Sequence, residues 1–427
     1  MEYTPSSHRQ FVEHLFRHQA GKMIAVLSRI FGIHNLEMVE DVVQEAFLKA
    51  MQVWPLNQLP DNPSAWLMQT AKNRAIDIIR RQQNFQQYSI EIARQLQQET
   101  ETTIGQFFLD NEIADSQLQM IFACCHPSLK PGDQVALTLK TVSGFGTSEI
   151  AWALFTNEAS IRKRLFRAKQ FIKENNVQLE IPSGIELAKR LDTVYTVLYL
   201  LFNEGYNSQK TDELIREDVC AEAIRLCLLL SDHAAGNQPA TYALLSLMCF
   251  QASRFESRVD DNNSIILLEN QDRTKWNREL IERGYYYLSL SSDGEQVSVY
   301  HIESAIAAEH CLSKNFASTN WSRMLDLYDL LLCQKRTPVV MLNRAIVLSR
   351  LNRNAEAISE ILAMEEIDDL LENHYIYNAV LGDLYIKNGD MVIARTYLRR
   401  AHTLTQSAAE KKLIDSKLLS IDLVSKN

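Results

Sequence analysis

The sequence predicts an all-α protein, and three observations support that fold class. Glycine and proline are scarce, at 13 and 9 of 427 residues, so few positions interrupt a helix. Long alternating runs of β-branched residues are absent, whereas leucine, alanine, glutamine, glutamate and arginine are abundant. Apolar residues also recur at helical spacing, most clearly at Ile161, Leu165, Ala168 and Ile172. A chain of this length can bury the cores of two or three such domains.

Composition divides the chain into three blocks. The first is a helical domain over residues 7–83, which a proline-rich loop interrupts. A glutamine-rich linker of low apolar content follows at 84–103, and a second helical domain covers 104–177. A proline-glycine break at 181–184 precedes a helical region over residues 185–427. Because few contacts cross a domain boundary, we expect a cut in this break to leave the first two domains folded.

A short helix in the first domain has two chemically distinct faces. Asp41, Gln44 and Glu45 fall together at positions i, i+3 and i+4, which forms an acidic and polar stripe. The other face of this helix carries the apolar residues Val42, Val43, Ala46 and Phe47. The polar stripe is suited to dock a basic partner helix.

A second helix of the first domain follows the proline-rich loop, over residues 65–81. Leu67, Ala71, Ile78 and Ile79 supply its predicted core stripe. The side chains expected to offer cations and amide donors are Lys72, Asn73, Arg74, Arg80 and Arg81.

The second domain ends in a predicted helix-turn-helix. A short amphipathic segment at 148–154 is followed by a brief connection and a longer helix, which Asn157 is placed to cap. Basic residues crowd the polar side of the longer helix: Arg162, Lys163, Arg164, Arg167 and Lys169. In a helix-turn-helix, the second helix enters the major groove of DNA. The alternative is an amphipathic surface helix with a solvated basic face.

Charge is distributed unevenly along the chain. Residues 1–174 contain 18 basic and 18 acidic residues, whereas 175–427 contain 26 basic and 35 acidic ones. The whole net charge of −9 therefore lies in the C-terminal part. This asymmetry predicts two functional halves, of which the acidic one does not bind nucleic acid non-specifically.

The sequence contains no pattern for secretion, membrane insertion or metal binding. No apolar run approaches the length of a membrane span, and the N-terminus lacks a signal-peptide pattern, which predicts a cytoplasmic protein. The seven cysteines form no Cys-x-x-Cys pair, and most lie in apolar helical runs, as reduced core residues do. Cys124, Cys125 and His126 have no second ligand pair at zinc spacing, so we expect no metal and no cofactor.

These motifs together resemble a bacterial RNA polymerase sigma factor of the extracytoplasmic-function type. Its region 2 carries D-x-x-Q-E-x-F, then A-W-L and A-x-N-x-x-x-D-x-x-R-R, and its region 4 ends in a helix-turn-helix closing with R-A-K or R-A-R. The matching residues are Asp41, Gln44, Glu45 and Phe47, then Ala65, Trp66, Leu67, Ala71, Asn73, Asp77, Arg80 and Arg81, and finally Arg167, Ala168 and Lys169. The resemblance covers about the first 175 residues.

The resemblance implies two roles for the first domain. Asp41, Gln44 and Glu45 would dock on the β′ clamp helices of core RNA polymerase, and the second domain would meet the β flap. The loop at 54–64 and the helix after it would capture the promoter −10 element as a single strand. Such binding requires a pocket for the unpaired bases and cations for the phosphate backbone of the DNA. The side chains assigned to −10 DNA are Asn62, Lys72, Asn73, Arg74, Arg80 and Arg81.

The second domain would read the −35 element as duplex DNA. Arg162 and Lys163 lie opposite the apolar stripe and are the candidates for guanine edges. Arg164, Arg167 and Lys169 are expected to contact phosphates, which position a helix without reading sequence. Ser160 and Glu158 complete the −35 set. Glu158 would either accept a hydrogen bond from cytosine or complement the dipole of the helix at its N-terminus.

The third block is similar to the C-terminal tetratricopeptide-like extension of one subgroup of these sigma factors. Residues 198–206, 271–276 and 339–345 carry that similarity. Small and aromatic residues over 379–401 show the helix-turn-helix signature of one repeat, and 343–357 give a less regular copy. Such a solenoid usually offers a concave protein-binding surface, here for an unidentified protein partner, and the alternative is an appendage that stabilises or inhibits the sigma part.

Two other functional classes stay open at this point. A conventional helix-turn-helix regulator with a sensing solenoid would explain the second and third blocks, but it has no need of the region 2 motifs. An enzyme in the third block would have to use Asn203, Glu204, Asp272, Arg273 or His310, whose spacing defines no known reaction. We therefore expect no catalytic residues.

Overall fold

The computed structural model describes residues 5–54, 59–83, 110–154, 156–206, 215–260, 266–405 and 408–424. These ranges contain α-helices and short 3-10 turns without a β-strand, so the predicted all-α fold class is confirmed. The predicted linker at 84–103 lies outside the described residues. None of the helices described is long and apolar enough to cross a membrane.

Contacts divide the chain into two compact units. The first contains residues 1–210 and 215–237, and the second contains 211–214 and 238–427. The division falls after 237, whereas the sequence predicts the third domain to begin at 185. The domain bounds predicted from the sequence therefore stay a prediction. The two compact units are described separately below.

The first unit contains nine described α-helices. They are α1 (Pro5–Phe31), α2 (Leu36–Val53), α3 (Pro63–Gln83), α4 (Asp110–Cys124), α5 (Pro131–Thr141), α6 (Thr147–Ala153), α7 (Glu158–Glu174), α8 (Gly184–Tyr206) and α9 (Glu217–Asp232). Helices α1 to α3 pack together around Leu27, Val42 and Leu67, which are fully buried. Helix α5 packs on α7, α6 also packs on α7, and α1 contacts both α4 and α5. The two sigma-like domains therefore share one compact unit.

Helices α8 and α9 follow the 181–184 break and pack back on the second domain. Helix α8 contacts α4, α5 and α6, and α9 contacts α4. Arg190 on α8 donates from Nη1 to the carbonyl oxygen of Phe122 at 3.1 Å, and Arg225 on α9 donates from Nη2 to Oε1 of Gln117 at 3.1 Å. The expectation that few contacts cross this break is wrong, because α8 and α9 bury their apolar faces there.

The second unit contains eleven described α-helices. They are α10 (Pro239–Ala252), α11 (Phe255–Arg258), α12 (Arg278–Leu290), α13 (Val299–Leu312), α14 (Trp321–Gln334), α15 (Pro338–Arg350), α16 (Asn354–Leu362), α17 (Ile367–Asn373), α18 (Tyr375–Asn388), α19 (Met391–Leu404) and α20 (Ala408–Val424). Helix α13 packs on α10 as well as on α14, consecutive helices pack on one another from α14 to α16, α18 packs on α16 and α19, and α20 packs on α19, which resembles the packing of a helical-repeat array.

The helix pair predicted at 379–401 is present as α18 and α19. Gly389 lies between the two helices with φ of +92°, a left-handed conformation that favours glycine at a helix end. Ala394, Leu398 and Ala401 are fully buried on α19. A Cβ on Gly382 would lie 2.7 Å from Leu398, so the small residue allows the two helices to approach closely.

Candidate nucleic-acid interface

The predicted helix-turn-helix is formed by α6 and α7. Asn157 precedes α7 with extended backbone angles, and its side-chain oxygen accepts from the backbone N–H of Ser160 at 2.8 Å. This contact confirms the predicted N-cap. The predicted apolar stripe is also confirmed, since the buried residues of α7 are Ile161, Leu165, Ala168 and Ile172.

The face of α7 opposite that stripe is exposed and basic. Arg162 and Lys163 are exposed, as is Phe166, whose exposed fraction is 63%. Arg162 pairs with Glu158 one turn earlier at 2.9 Å, an ion pair between exposed side chains. Such pairs stabilise a helix by only about 0.3–0.5 kcal/mol, so a stronger acceptor such as a guanine edge can compete for Arg162.

Two of the cations expected to contact phosphates have carboxylate partners within the protein. Arg167 donates from Nη2 and Nε to the buried carboxylate of Asp133, at 2.7 and 3.2 Å. This bidentate contact raises the pKa of the Arg167 guanidinium through its hydrogen bonds and the charge of Asp133. Lys169 donates to Oε2 of Glu40 on α2, and its side chain is only 17% exposed. In this arrangement Lys169 belongs to a contact between the two sigma-like domains.

The remaining residues of the −35 set lie at the start and side of α7. Glu158 is the first residue of the helix, where its charge complements the helix dipole, and Ser160 is half-buried in the first turn. Arg164 is half-buried and lies close to Gly132. If position 132 carried a Cβ atom, that atom would lie 2.9 Å from Nη1 of Arg164. The structure brings the −35 set together on one helix, and its roles toward DNA stay predictions.

The polar stripe expected to bind core polymerase lies on α2 and is exposed. Asp41, Gln44 and Glu45 all face solvent, while the apolar side of the same helix is buried. Glu45 accepts from Nε of Arg74 on α3 at 2.5 Å, which raises the pKa of the Arg74 guanidinium. The stripe for core polymerase and the helix for −10 DNA are therefore joined by an ion pair.

The residues assigned to −10 DNA are only partly accessible. Asn62 is exposed and caps α3, accepting from the backbone N–H of Ala65 at 3.0 Å. Asn73 is exposed and accepts from Gln69 at 3.0 Å. Lys72 is buried at 7% exposure, so the expectation of an accessible cation there is wrong in this arrangement. Its place is four residues after Met68 and three before Ala75, which puts it on the buried stripe.

Two further members of the −10 set lie at the end of α3. Arg80 and Arg81 belong to the helix, but their side chains lie outside the described part of the structure. Trp66 is half-buried and its ring meets that of Trp54 edge to face at 5.4 Å. This contact favours a packing role for Trp66.

Sequence reasoning missed the buried charges that hold the two domains and the following helices together. Glu40 and Asp133 bind cations of α7, and Glu149 on α6 accepts from Nη1 of Arg216 at 2.9 Å. Arg216 is 2% exposed. The sequence did indicate that Glu40 is buried, because this residue shares a helical face with the apolar residues Val43 and Phe47. Its partner, 129 positions away, leaves no local signal.

Three family models match the chain in the order that the motifs predict. A model described as Sigma-70 region 2 matches residues 15–85, and one described as Sigma-70, region 4 matches residues 119–172. A model described as a family of unknown function (DUF6596) matches residues 190–292, which begins on α8 and extends into the second compact unit. The region 2 match favours a sigma factor over a conventional helix-turn-helix regulator, which has no need of that domain.

A curated relative extends the similarity over almost the whole chain. An uncharacterized protein of Rhizobium meliloti (strain 1021) is 32% identical over 384 residues, which cover 90% of this chain and 90% of the relative. The similarity therefore includes the extension as well as the two sigma domains. With regions 2 and 4 in the order of the motifs, the chain belongs to the sigma-70 family, as an extracytoplasmic-function sigma factor with a C-terminal extension.

Proposed function

We propose that this sigma factor acts in the cytoplasm and docks on the β′ clamp helices of core RNA polymerase through Asp41, Gln44 and Glu45. The observation that carries the proposal is the two-faced helix α2, which buries its apolar side and exposes all three polar residues. Exposed charges on a rigid helix suit a partner surface, because the fold does not need them. The region 4 domain meets the β flap in the same complex.

Promoter recognition is divided between two helices. Helix α7 reads the −35 duplex with Arg162 and Lys163, and its other cations bind phosphates. Helix α3 and the residues before it hold the −10 strand, with Asn62, Asn73 and Arg74 as the members whose side chains are described and not buried. Sigma-factor families are not enzymes, and the function proposed here requires no covalent chemistry from the chain.

The two sigma domains must separate when both promoter elements are bound. The −10 and −35 elements lie about 25 base pairs apart, or roughly 85 Å at about 3.4 Å per base pair. Helices α1 and α4 are in contact, and Lys169 is paired with Glu40, so the described arrangement holds the two domains side by side. Binding to core polymerase would supply the free energy that separates them.

The C-terminal extension modulates the sigma domains through protein contacts. Its first helices, α8 and α9, support this proposal because they pack on the region 4 domain. Arg216 reaches Glu149 in the first helix of the helix-turn-helix, and the second carboxylate oxygen of Glu149 accepts from the backbone N–H of Gly146 at 2.7 Å. A movement of α9 would therefore be transmitted to the start of the DNA-reading motif. A partner bound to the helical-repeat array is the proposed source of that movement.

Run-off transcription with purified core polymerase tests this proposal. Templates would be a set of genomic promoters that includes the protein's own, and the proteins would be the full-length chain, residues 1–237 and the full-length Arg216→Ala variant. Full-length protein should give discrete transcripts, and both altered proteins should change their yield at the same promoters. The control variant is Lys189→Ala, which alters an exposed cation of α8.

The outcomes separate the parts of the proposal. No transcript with any protein would contradict the sigma function. Equal transcript yield from the full-length chain and from residues 1–237 would contradict the modulating role of the extension. Residues 1–182 serve as a folding comparison, since they lack α8 and α9 and should melt at a lower temperature than residues 1–237.

A further inference from the structure

Three arginines and two aromatic rings converge in the second compact unit. Arg254 follows α10, Arg273 opens the 3-10 turn Arg273–Lys275, and Arg350 ends α15. Trp276 follows the 3-10 turn, and His310 lies near the end of α13. We name these five residues the arginine–aromatic cluster. Its members come from four segments of the chain, which the fold of this unit brings together.

The guanidinium groups lie against aromatic rings. The Cζ atom of Arg273 lies 4.7 Å from the ring centre of Trp276, and that of Arg254 lies 5.6 Å from the same ring. Arg350 lies 4.7 Å from the ring centre of Phe316, which is stacked with His310 at 6.4 Å between ring centres. Aromatic faces hold guanidinium groups in place and leave their N–H edges available for acceptors.

Two of the three arginines have only neutral oxygen partners among the described residues. Arg254 donates to the side-chain amides of Gln271 at 3.2 Å and Gln251 at 3.4 Å. Arg273 donates to the carbonyl oxygens of His310 and Ser313, the latter at 2.6 Å. Two positive charges near one indole ring therefore lack a carboxylate partner, although this half of the chain is acidic overall.

Another partly buried arginine of the same unit shows the contrast. Arg344 pairs with two carboxylates, those of Asp329 and Glu360. In the arginine–aromatic cluster, Arg350 alone has a carboxylate partner, Glu269 at 2.6 Å, within the described part of the unit. The pKa of the Arg273 guanidinium is lowered, first by burial, and Arg254 adds to the decrease.

Several donors of the cluster are buried without a hydrogen-bond partner among the described residues. They are Nη2 of Arg273, Nε1 of Trp276 and Nε of Arg350, and Nδ1 of His310 is also unpaired. Buried polar groups in proteins are almost always paired, so a concentration of unpaired donors at one place needs an explanation. The acceptor that suits guanidinium and indole N–H groups together is a negatively charged oxygen.

We propose that the arginine–aromatic cluster is a binding site for a small oxyanion, either inorganic phosphate or the carboxylate of a small organic acid. Arg254 and Arg273 would bind its oxygens through their N–H edges, and Trp276 would donate from its indole nitrogen. Burial, aided by Arg254 and Arg273, lowers the pKa of His310 to about 3, so at neutral pH this ring adds no charge. The site goes beyond the proposed modulation by protein partners, because it gives the extension a small-molecule input.

Isothermal titration of the full-length protein tests the site directly. One arm uses sodium phosphate and the other sodium succinate, both at constant ionic strength with chloride as the balancing anion. Saturable binding of one anion is expected, with an affinity at least tenfold lower in the Arg254→Gln and Arg273→Gln variants. The matched control is Arg353→Gln, which removes an arginine that pairs locally with Glu356 and lies outside the cluster.

A second measurement uses only the unaltered protein, so it does not depend on the folding of variants. Phenylglyoxal modifies accessible arginines, and the bound anion should slow the modification of Arg254 and Arg273 at least threefold without protecting Arg353. Protection by phosphate but not succinate identifies a phosphate site, and the reverse identifies a carboxylate site. Failure of both anions to bind saturably, or equal protection of Arg353, would overturn the proposal.

Discussion

Lys169 on the recognition helix α7 forms an ion pair with Glu40 on α2, and the two side chains are only 17% and 8% exposed. The pair joins the region 4 domain to the region 2 domain. Oε1 of Glu40 has no hydrogen-bond partner among the described residues, so Lys169 supplies the main compensation of this buried carboxylate. A lysine that sequence patterns assign to a DNA phosphate is therefore engaged within the protein in this arrangement.

Removing Lys169 should destabilise the first unit. We expect Lys169→Ala to lower the free energy of unfolding by about 3 kcal/mol, because Glu40 would remain buried without its partner. The double variant Glu40→Leu with Lys169→Met should recover most of that loss, since two apolar groups need no compensation. Denaturant unfolding of the full-length proteins measures both, with Lys163→Ala on the exposed face of α7 as the control. Equal stability of Lys169→Ala and Lys163→Ala would contradict the structural role of the pair.

Arg162 and Lys163 on the exposed face of α7 should recognise specific bases, while the other cations of this helix should bind promoter DNA of any sequence alike. Arg162→Ala and Lys163→Ala should each change the preferred base at one −35 position, by about 1–3 kcal/mol if the contact is bidentate. Arg164→Ala and Arg167→Ala should weaken all promoters and reduce the salt dependence. A −35 mutant library assayed for binding at several salt concentrations distinguishes the two pairs, and Lys173→Ala at the exposed end of α7 is the control. Identical behaviour of the two pairs would show that this division of roles is wrong.

The charge of Asp41 should be needed for core binding but not for folding. Asp41→Lys alters an exposed residue, so the helical content and melting temperature should stay unchanged while association with core polymerase is lost. Glu45→Lys is a less specific change, because it also breaks the ion pair with Arg74. Copurification with core polymerase measures the effect, and Lys49→Glu on another exposed position of α2 is the control. Full recovery of core polymerase with Asp41→Lys would exclude this docking stripe.

Acid should destabilise the second unit through His310. The pKa of this ring is lowered from 6.5 to about 3 by burial and by the nearby arginines, so the unfolded chain binds a proton at a pH at which the folded chain does not. Stability conferred by the neutral ring is complete above about pH 6.5 and is lost progressively as pH falls toward 3, by about 2 kcal/mol between pH 7 and pH 5. His310→Gln should flatten the pH dependence of the melting temperature relative to His402→Gln, whose parent side chain is 38% exposed. An equal dependence of melting temperature on pH in the two variants would contradict the assignment of this acid sensitivity to His310.

Local pattern predicted the helices and their buried faces, but not the long-range ion pairs. Ile161, Leu165, Ala168 and Ile172 are buried as their spacing predicts, because a period of 3.6 residues fixes which side chains share a face. The helix pair at 379–401 was predictable for the same reason. The partner of Lys169 depends on the packing of two domains, which no local period encodes.

The errors have equally local causes. Lys72 was expected to offer a cation to −10 DNA, although its register places it with Met68 and Ala75 on the buried stripe. The packing of α8 and α9 on the region 4 domain was missed because the proline-glycine break before α8 resembles a domain boundary. Five of the seven cysteines are buried as expected, whereas Cys333 is exposed.

Permanganate footprinting of promoter DNA tests the central claim, that this chain directs core polymerase to open promoters, most directly. Permanganate oxidises thymines that are unpaired, and region 2 is proposed to hold the −10 element as a single strand. With purified core polymerase and the full-length protein, thymines of the −10 element should become reactive on a promoter of its own regulon. They should stay unreactive with core polymerase alone or with the Asp41→Lys variant. The claim would be contradicted if no promoter that gives a run-off transcript showed reactive thymines, or if core polymerase alone gave the same reactivity as core polymerase with the full-length protein.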